Sequence, residues 1–233
     1  MTDSPVLVLT GTSRGIGHHL AIHYLEQGWR VAGCSRSETD IDDKNYIHTA
    51  VDVTEEAEVT KWVRSIGRDL GRIDATINNA GAASMNHVLL TPAKTVDRLM
   101  KLNFKGSFLV CRETAKIMAK RKYGRIVNFS SVAVPLSLEG ESVYVASKSA
   151  IEAFSRSMAR EVIGHNITVN VVAPAPIDTD LTRSIPKAVM DRLFKKMVIS
   201  RYGKFEDIEN VTDFFLNPQS SMITGQVITL GAW

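Results

Sequence analysis

The chain has 233 residues, 44% of them hydrophobic and 23% charged, with a formal net charge of +3. That length supports a sizeable core, and so mild a basic excess, with no Lys/Arg block, excludes a nucleic-acid tail as an organising feature. No apolar run reaches the ~20 residues of a membrane span. The opening Met-Thr-Asp-Ser-Pro carries no basic leader, and two cysteines, Cys34 and Cys111, point to a reducing, cytoplasmic setting rather than a disulfide framework.

Residues 6–10 form a short apolar run that ends in Gly-Thr-Ser-Arg-Gly-Ile-Gly, residues 11–17. A helical pattern with Ile16, Leu20, Tyr24 and Leu25 apolar follows and stops at Gly28. Strand, glycine loop and helix together suit a phosphate: glycine lets the backbone approach, and the helix N-terminus supplies N–H donors and partial positive charge. The spacing is G-x-x-x-G-x-G rather than the G-x-G-x-x-G of the dinucleotide fingerprint. A second strand is expected over 29–34. No acid occupies 33–37 to receive a ribose hydroxyl; Arg36 stands there instead, and Arg14 of the glycine loop can reach the same 2′-phosphate.

Residues 46–51 read as a third strand leading to Asp52 and Val53, then a helix over 54–70 with Thr54 as N-cap. A fourth strand over 73–77 runs into Asn78, Asn79, Ala80 and Gly81. A long helix is expected over 93–121, with Asn103 awkwardly inside it because Asn competes for backbone hydrogen bonds. Lys101, Lys105, Arg112, Lys116 and Lys120 fall within about a 100° arc of that helix if it keeps 3.6 residues per turn. Arg121, Lys122 and Arg125 extend the basic character past its end. A fifth strand covers 126–130.

Ser131 follows that strand, and a helix over 141–163 carries Tyr144 and Lys148 one turn apart on one face. A cation near a phenol favours the phenolate and lowers its pKa toward the working range; alone, the same spacing also describes a half-buried tyrosine beside a lysine. The Ser131 hydroxyl can donate to a carbonyl oxygen while the tyrosine delivers a proton. A sixth strand over 167–173 ends at Pro174-Ala175-Pro176, an apolar helical stripe over 185–197 reads as a lid, and a helix over 206–216 precedes a last strand over 226–230. Alternating strands and helices imply one doubly wound α/β domain over residues 1–233, with a mainly parallel sheet of about seven strands and ligands at the strands' C-terminal ends.

These motifs together resemble the short-chain dehydrogenase/reductase family across nearly the whole chain. Gly11, Ser13, Arg14, Gly15, Ile16 and Gly17 correspond to its cofactor glycine motif, Asp52 and Val53 to its adenine-binding pair, and Asn79, Ala80 and Gly81 to its Asn-Asn-Ala-Gly. Asn103, Ser131, Tyr144 and Lys148 match its catalytic tetrad, and Pro174, Ile177 and Thr179 its nicotinamide-holding segment. The resemblance implies NADPH-dependent hydride transfer to a ketone. Tyr144 would be the proton donor, Lys148 would tune it and bind the ribose, and Ser131 would polarise the carbonyl. Asn103 would hold a water that reprotonates Lys148. No metal is expected.

Tyr-Gly-Arg-Ile-Val-Asn-Phe-Ser-Ser and Ile-Thr-Gly-Gln-Val are most similar to 3-oxoacyl-[acyl-carrier-protein] reductases. They imply a substrate carried on an acyl carrier protein that docks on the basic stripe and Lys122. A free quinone, steroid or sugar-derived ketone is the competing substrate, and a non-catalytic dinucleotide sensor the competing class. Three departures stand out: Ala175 for glycine, the Leu-Gly-Ala-Trp ending, and His165 where arginine is usual. The resemblance further implies a homotetramer, with Phe104, Phe108, Met118, Phe154 and Met158 offering apolar surface.

Overall fold

Seven strands, β1 (Val6–Thr10), β2 (Arg30–Ser35), β3 (Tyr46–Ala50), β4 (Ala75–Asn78), β5 (Gly124–Phe129), β6 (Ile167–Ala173) and β7 (Val227–Thr229), pair in the order β3-β2-β1-β4-β5-β6-β7. Every pairing is parallel. The computed structural model describes residues 4–183 and 185–232. Residues 1–3, read above for a leader, and Trp233 of the altered ending lie outside them.

Side chains alternate across the sheet with period two. Val6 and Val8 point to the face covered by α2 (Glu56–Asp69), α4 (Ser107–Arg121) and α6 (Ser142–Val162), where they join Trp62, Val110 and Met158. Leu7 and Leu9 point to the other face, against Leu20 and Tyr24 of α1 (Gly15–Glu26) and Ile208 and Phe215 of α9 (Phe205–Leu216). Burial on both faces explains why these strands read as continuous apolar runs. The chain runs outward from β1 to β3, then returns to place β4 on the other side of β1. That reversal opens a crevice at the C-terminal edge, where ligands of such sheets bind.

Several expectations need correction. The helix over 93–121 is three segments: α3 (Ala93–Leu99), a π-helical stretch (Met100–Gly106) and α4. Asn103 sits in the π stretch, drawn inward to hydrogen-bond Ala82, and the wider turn breaks the phase of the basic stripe. Three of the five stripe cations are also paired with the protein's own acids. Lys101 pairs with Glu55 at 2.7 Å, Arg112 with Glu56 at 2.7 Å and Glu113 at 2.8 Å, and Lys116 with Glu113 at 2.7 Å.

Arg125 is no surface group: it is 2% exposed and donates to the carbonyls of Gly124, Asn166 and Pro218. Thr54 does not cap its helix. The N-cap is Glu55, without a side-chain cap, because Asp52 Oδ1 already takes the Thr54 N–H at 2.9 Å and turns the chain there. Met118 and Met158 are buried in the core rather than offered for assembly. Phe104, Phe108 and Phe154 remain half-buried on the outer face and pack edge to face. Among the described residues no helix is long and apolar enough to cross a membrane.

Candidate active site

The glycine loop closes over the C-terminal end of β1 because its neighbours leave no room for side chains. A Cβ on Gly17 would lie 2.2 Å from the Gly11 carbonyl oxygen and 2.4 Å from Asn79 Nδ2. Asn79 is thereby a brace: its Nδ2 donates to the carbonyls of Thr10 and Gly11. Helix α1 starts beneath the loop with Arg14 at the N-cap, no side-chain cap and no acid in its first turn. Its N-terminal N–H groups therefore remain available to an anion.

A cleft of about 640 Å³ runs along this edge, lined by Gly11, Ser13, Arg14, Gly15, Ile16, Arg36, Asp52, Val53, Asn79, Ala80, Gly81 and Thr179. Arg14 and Arg36 form no hydrogen bond or ion pair with a described residue. Burial alone would raise the Asp52 carboxyl, but the Thr54 N–H and hydroxyl and the Arg36 and Lys101 cations hold it below its ordinary value. Uncapped helix N–H groups, a cradle a Cβ would fill and two unpaired guanidinium groups fit a long, phosphate-bearing cofactor.

The cleft meets a second cavity of about 160 Å³ that shares Ile16, Asn79, Gly81 and Thr179 with it. Ser131, Tyr144, Lys148, Pro174, Ala175 and Ile177 line this cavity. The tetrad thus splits: three members face the cavity, while Asn103, 1% exposed, lies behind Gly81. Both ends of the Asn103 amide are hydrogen-bonded. Its Oδ1 accepts from the Ala82 N–H, and its Nδ2 donates to the Ala82 carbonyl and to Ser147 Oγ, all at 2.9 Å.

Lys148 is buried, and its Nζ donates to the Phe129 carbonyl at 2.9 Å and sits 6.0 Å from the Tyr144 ring centre. Burial pushes Lys148 down to about 8. It pushes the Tyr144 phenol up to about 12, with the Ser131 hydroxyl pulling the other way and Glu141 adding to the rise. The tyrosine is therefore raised where a lowering by the lysine was expected, because desolvation of the phenolate is the largest influence on it.

Helix α8 (Lys187–Lys196) roofs the cavity where the apolar stripe suggested a lid. Met190 and Leu193 are buried, and the Ala175 methyl packs with them. A third cavity, of about 370 Å³, opens beyond, lined by Met85, Leu138, Ile185 and Val189 with Arg192, Lys195 and Lys196 of α8. Glu141 lines both smaller cavities and went unread in the sequence. Its signal is positional: an acid three residues before Tyr144 shares the tyrosine's helical face. Among the described residues no cluster of His, Cys, Asp and Glu could hold a metal ion.

A family model described as enoyl-(acyl carrier protein) reductase matches residues 11–231. The chain is 29% identical over 232 residues to the 3-oxoacyl-[acyl-carrier-protein] reductase FabG of Escherichia coli (strain K12), covering 97% of this chain and 95% of that protein. It is 30% identical over 235 residues to the FabG of Thermotoga maritima, covering 97% and 96%. Among solved structures, the ligand-free aldohexose dehydrogenase (AldT) of Thermoplasma acidophilum superposes with a TM-score of 0.90 at 26% identity, covering 98% of this chain and 93% of that one. ElxO with NADP bound superposes with a TM-score of 0.89 at 25% identity, covering 98% and 97%.

Proposed function

Because the chain belongs to the short-chain dehydrogenase/reductase family, we propose that it reduces a ketone to a secondary alcohol with NADPH. The observation that carries this reading is the meeting of the phosphate-fitting cleft with the cavity that exposes Ser131, Tyr144 and Lys148. The glycine loop and the N-terminus of α1 would hold the pyrophosphate, Arg14 and Arg36 the 2′-phosphate, and Pro174, Ile177 and Thr179 the nicotinamide end. When bound, the cofactor supplies the hydride.

The residues supply position and a proton. Ser131 donates to the ketone oxygen and orients it. Tyr144 gives its proton to the oxygen as negative charge develops there; even pushed up to about 12, the phenol is a stronger acid than the secondary alcohol being formed, so the transfer runs toward the alcohol. Lys148 stabilises the resulting phenolate and binds the ribose. Asn103 fixes the Ala82 backbone beside Lys148 through its paired hydrogen bonds. Tyr144→Phe removes the donor without touching the cleft. We expect turnover to fall by several orders of magnitude while NADPH affinity, read by fluorescence titration, stays within a few-fold. Near-normal turnover rules this mechanism out.

For the substrate, the FabG relatives favour a 3-oxoacyl group on an acyl carrier protein, with Lys122 exposed at the end of α4 as the docking cation. A free small ketone is the second reading, favoured by the ion pairs that engage Lys101, Arg112 and Lys116 of the basic stripe. Salt separates the two, because exposed charge pairs are screened over about 10 Å at 0.1 M. Carrier docking predicts that kcat/KM for an acyl-carrier substrate falls with ionic strength and in Lys122→Glu, while a short uncharged ketone is indifferent to both. We propose a homotetramer, with the Phe104, Phe108 and Phe154 face buried between copies; light scattering reads its mass directly.

A further inference from the structure

Glu141 is 8% exposed at the start of α6, yet its carboxyl has no hydrogen-bond or ion-pair partner among the described residues. Its backbone is satisfied: the N–H donates to the Leu138 carbonyl at 3.2 Å, and the carbonyl accepts from the Val145 N–H at 2.7 Å. The side chain does not cap its own helix. It looks instead into both cavities, among Leu138, Ile185, Met190 and Leu193. Burial raises it to about 7. An unpaired carboxyl in such surroundings destabilises the fold, and buried charges are ordinarily paired. Its oxygens are not sealed in the packing, and no described residue bonds them, so a ligand that enters the cavities can supply the partner.

We propose that Glu141 is a substrate-specificity residue, its carboxylate accepting a hydrogen bond from a hydroxyl on the chain of a ketone whose carbonyl lies at Ser131 and Tyr144. The preferred substrates are then hydroxyketones. This rests on the reductase reading and selects between its two substrate classes, since a saturated 3-oxoacyl chain has no donor to offer at that point. A hydroxyl is favoured over an ammonium because the surroundings are already cationic: Lys148 lies on the floor, and Arg192, Lys195 and Lys196 line the outer cavity. With Glu139 and Tyr144, these are the titratable groups that face Glu141 across the two cavities.

The test uses the full chain with NADPH and straight-chain ketones that carry one hydroxyl, or one amino group, at successive distances from the carbonyl, each against its unsubstituted parent. We expect at least one hydroxyketone to exceed its parent by tenfold or more in kcat/KM. The preference should grow as pH rises through about 7, because the ionised carboxylate is the stronger acceptor. Glu141→Leu should erase the preference. Glu141→Gln keeps an acceptor oxygen, so it should retain part of the preference and lose its pH dependence; if the leucine variant does not fold, that loss decides.

Equal kcat/KM for every hydroxyketone and its parent overturns the proposal, as does a preference that survives Glu141→Leu or a stronger preference for the amino series. Calorimetric titration of the same ketones into the NADP+-loaded protein keeps the two readings apart. Selective hydroxyketone binding that is lost in Glu141→Leu, with no NADPH oxidised by any ketone, supports the recognition role and removes the reductase reading. Turnover without selectivity does the reverse.

Discussion

Glu141 carries a consequence for stability that is independent of any ligand. Its carboxyl moves from an ordinary 4.5 to about 7 on folding. Between those values the folded protein binds more protons than the unfolded chain, so stability falls as pH rises through that window. The full effect is roughly 3–4 kcal/mol at most, at roughly 1.4 kcal/mol per tenfold change in proton affinity. Glu141→Gln has no proton to lose. Urea melts between pH 4.5 and about 7 should therefore show wild-type stability declining relative to the glutamine variant; parallel curves would mean that the carboxyl is solvated. Lys148 obeys the same physics with opposite charge, since burial favours the neutral amine and lowers it to about 8.

Strand β5 shows how one element ties distant parts of the chain together. Arg125 opens it from inside the protein, its guanidinium 4.6 Å above the Tyr123 ring and its N–H groups on the carbonyls of Gly124, Asn166 and Pro218. These carbonyls belong to β5 itself, the turn before β6 and the turn after α9. Arg125→Met keeps most of the volume and removes the guanidinium's hydrogen bonds to the carbonyls of Gly124, Asn166 and Pro218. A loss of roughly 3 kcal/mol in chemical denaturation is expected, with Arg125→Lys recovering part of it. A loss below 0.5 kcal/mol, the usual size for a surface substitution, would place the residue outside the core. The π stretch between α3 and α4 has a comparable role, aiming Asn103 at Ala82 so that the Asn-Asn-Ala-Gly turn stays beside Lys148. A Cβ on Gly81 would sit 3.1 Å from Asn103 Oδ1 and 3.4 Å from Lys148 Nζ, which leaves little room for alanine.

Across the whole molecule, the cleft draws on the C-terminal ends of β1, β2, β3 and β4 and on the segment after β6. Arg36 stands just past β2, and Arg14 at the head of α1 faces the same cleft. Two unpaired guanidinium groups make charge-assisted, bidentate contacts to a phosphate and have no comparable partner in a free 2′-hydroxyl. NADPH should therefore exceed NADH by at least tenfold in kcat/KM, about 1.4 kcal/mol in barrier, and Arg36→Asp should invert the order. Equal rates with both cofactors in the unmodified protein would contradict this assignment.

The sequence by itself determined the alternation of strands and helices, the placing of the glycine loop, Arg36 and Ser131 at strand ends, and the helix that carries Tyr144, because periodicity and local turn chemistry are short-range. It also marked Asn103 as out of place in a helix, though not what the residue does. Only the tertiary structure decided matters that depend on neighbours distant in sequence. Glu55, Glu56 and Glu113 pair with three cations of the basic stripe, Lys101, Arg112 and Lys116. Arg125 turns inward because carbonyls from two later turns converge on it. Tyr144 is raised rather than lowered, and Lys148 is lowered, because both are buried, which no spacing encodes. Glu141 became visible as a candidate specificity residue for the same reason: its meaning lies in the absence of a partner among the described residues, and that is known only once the surrounding side chains are in place.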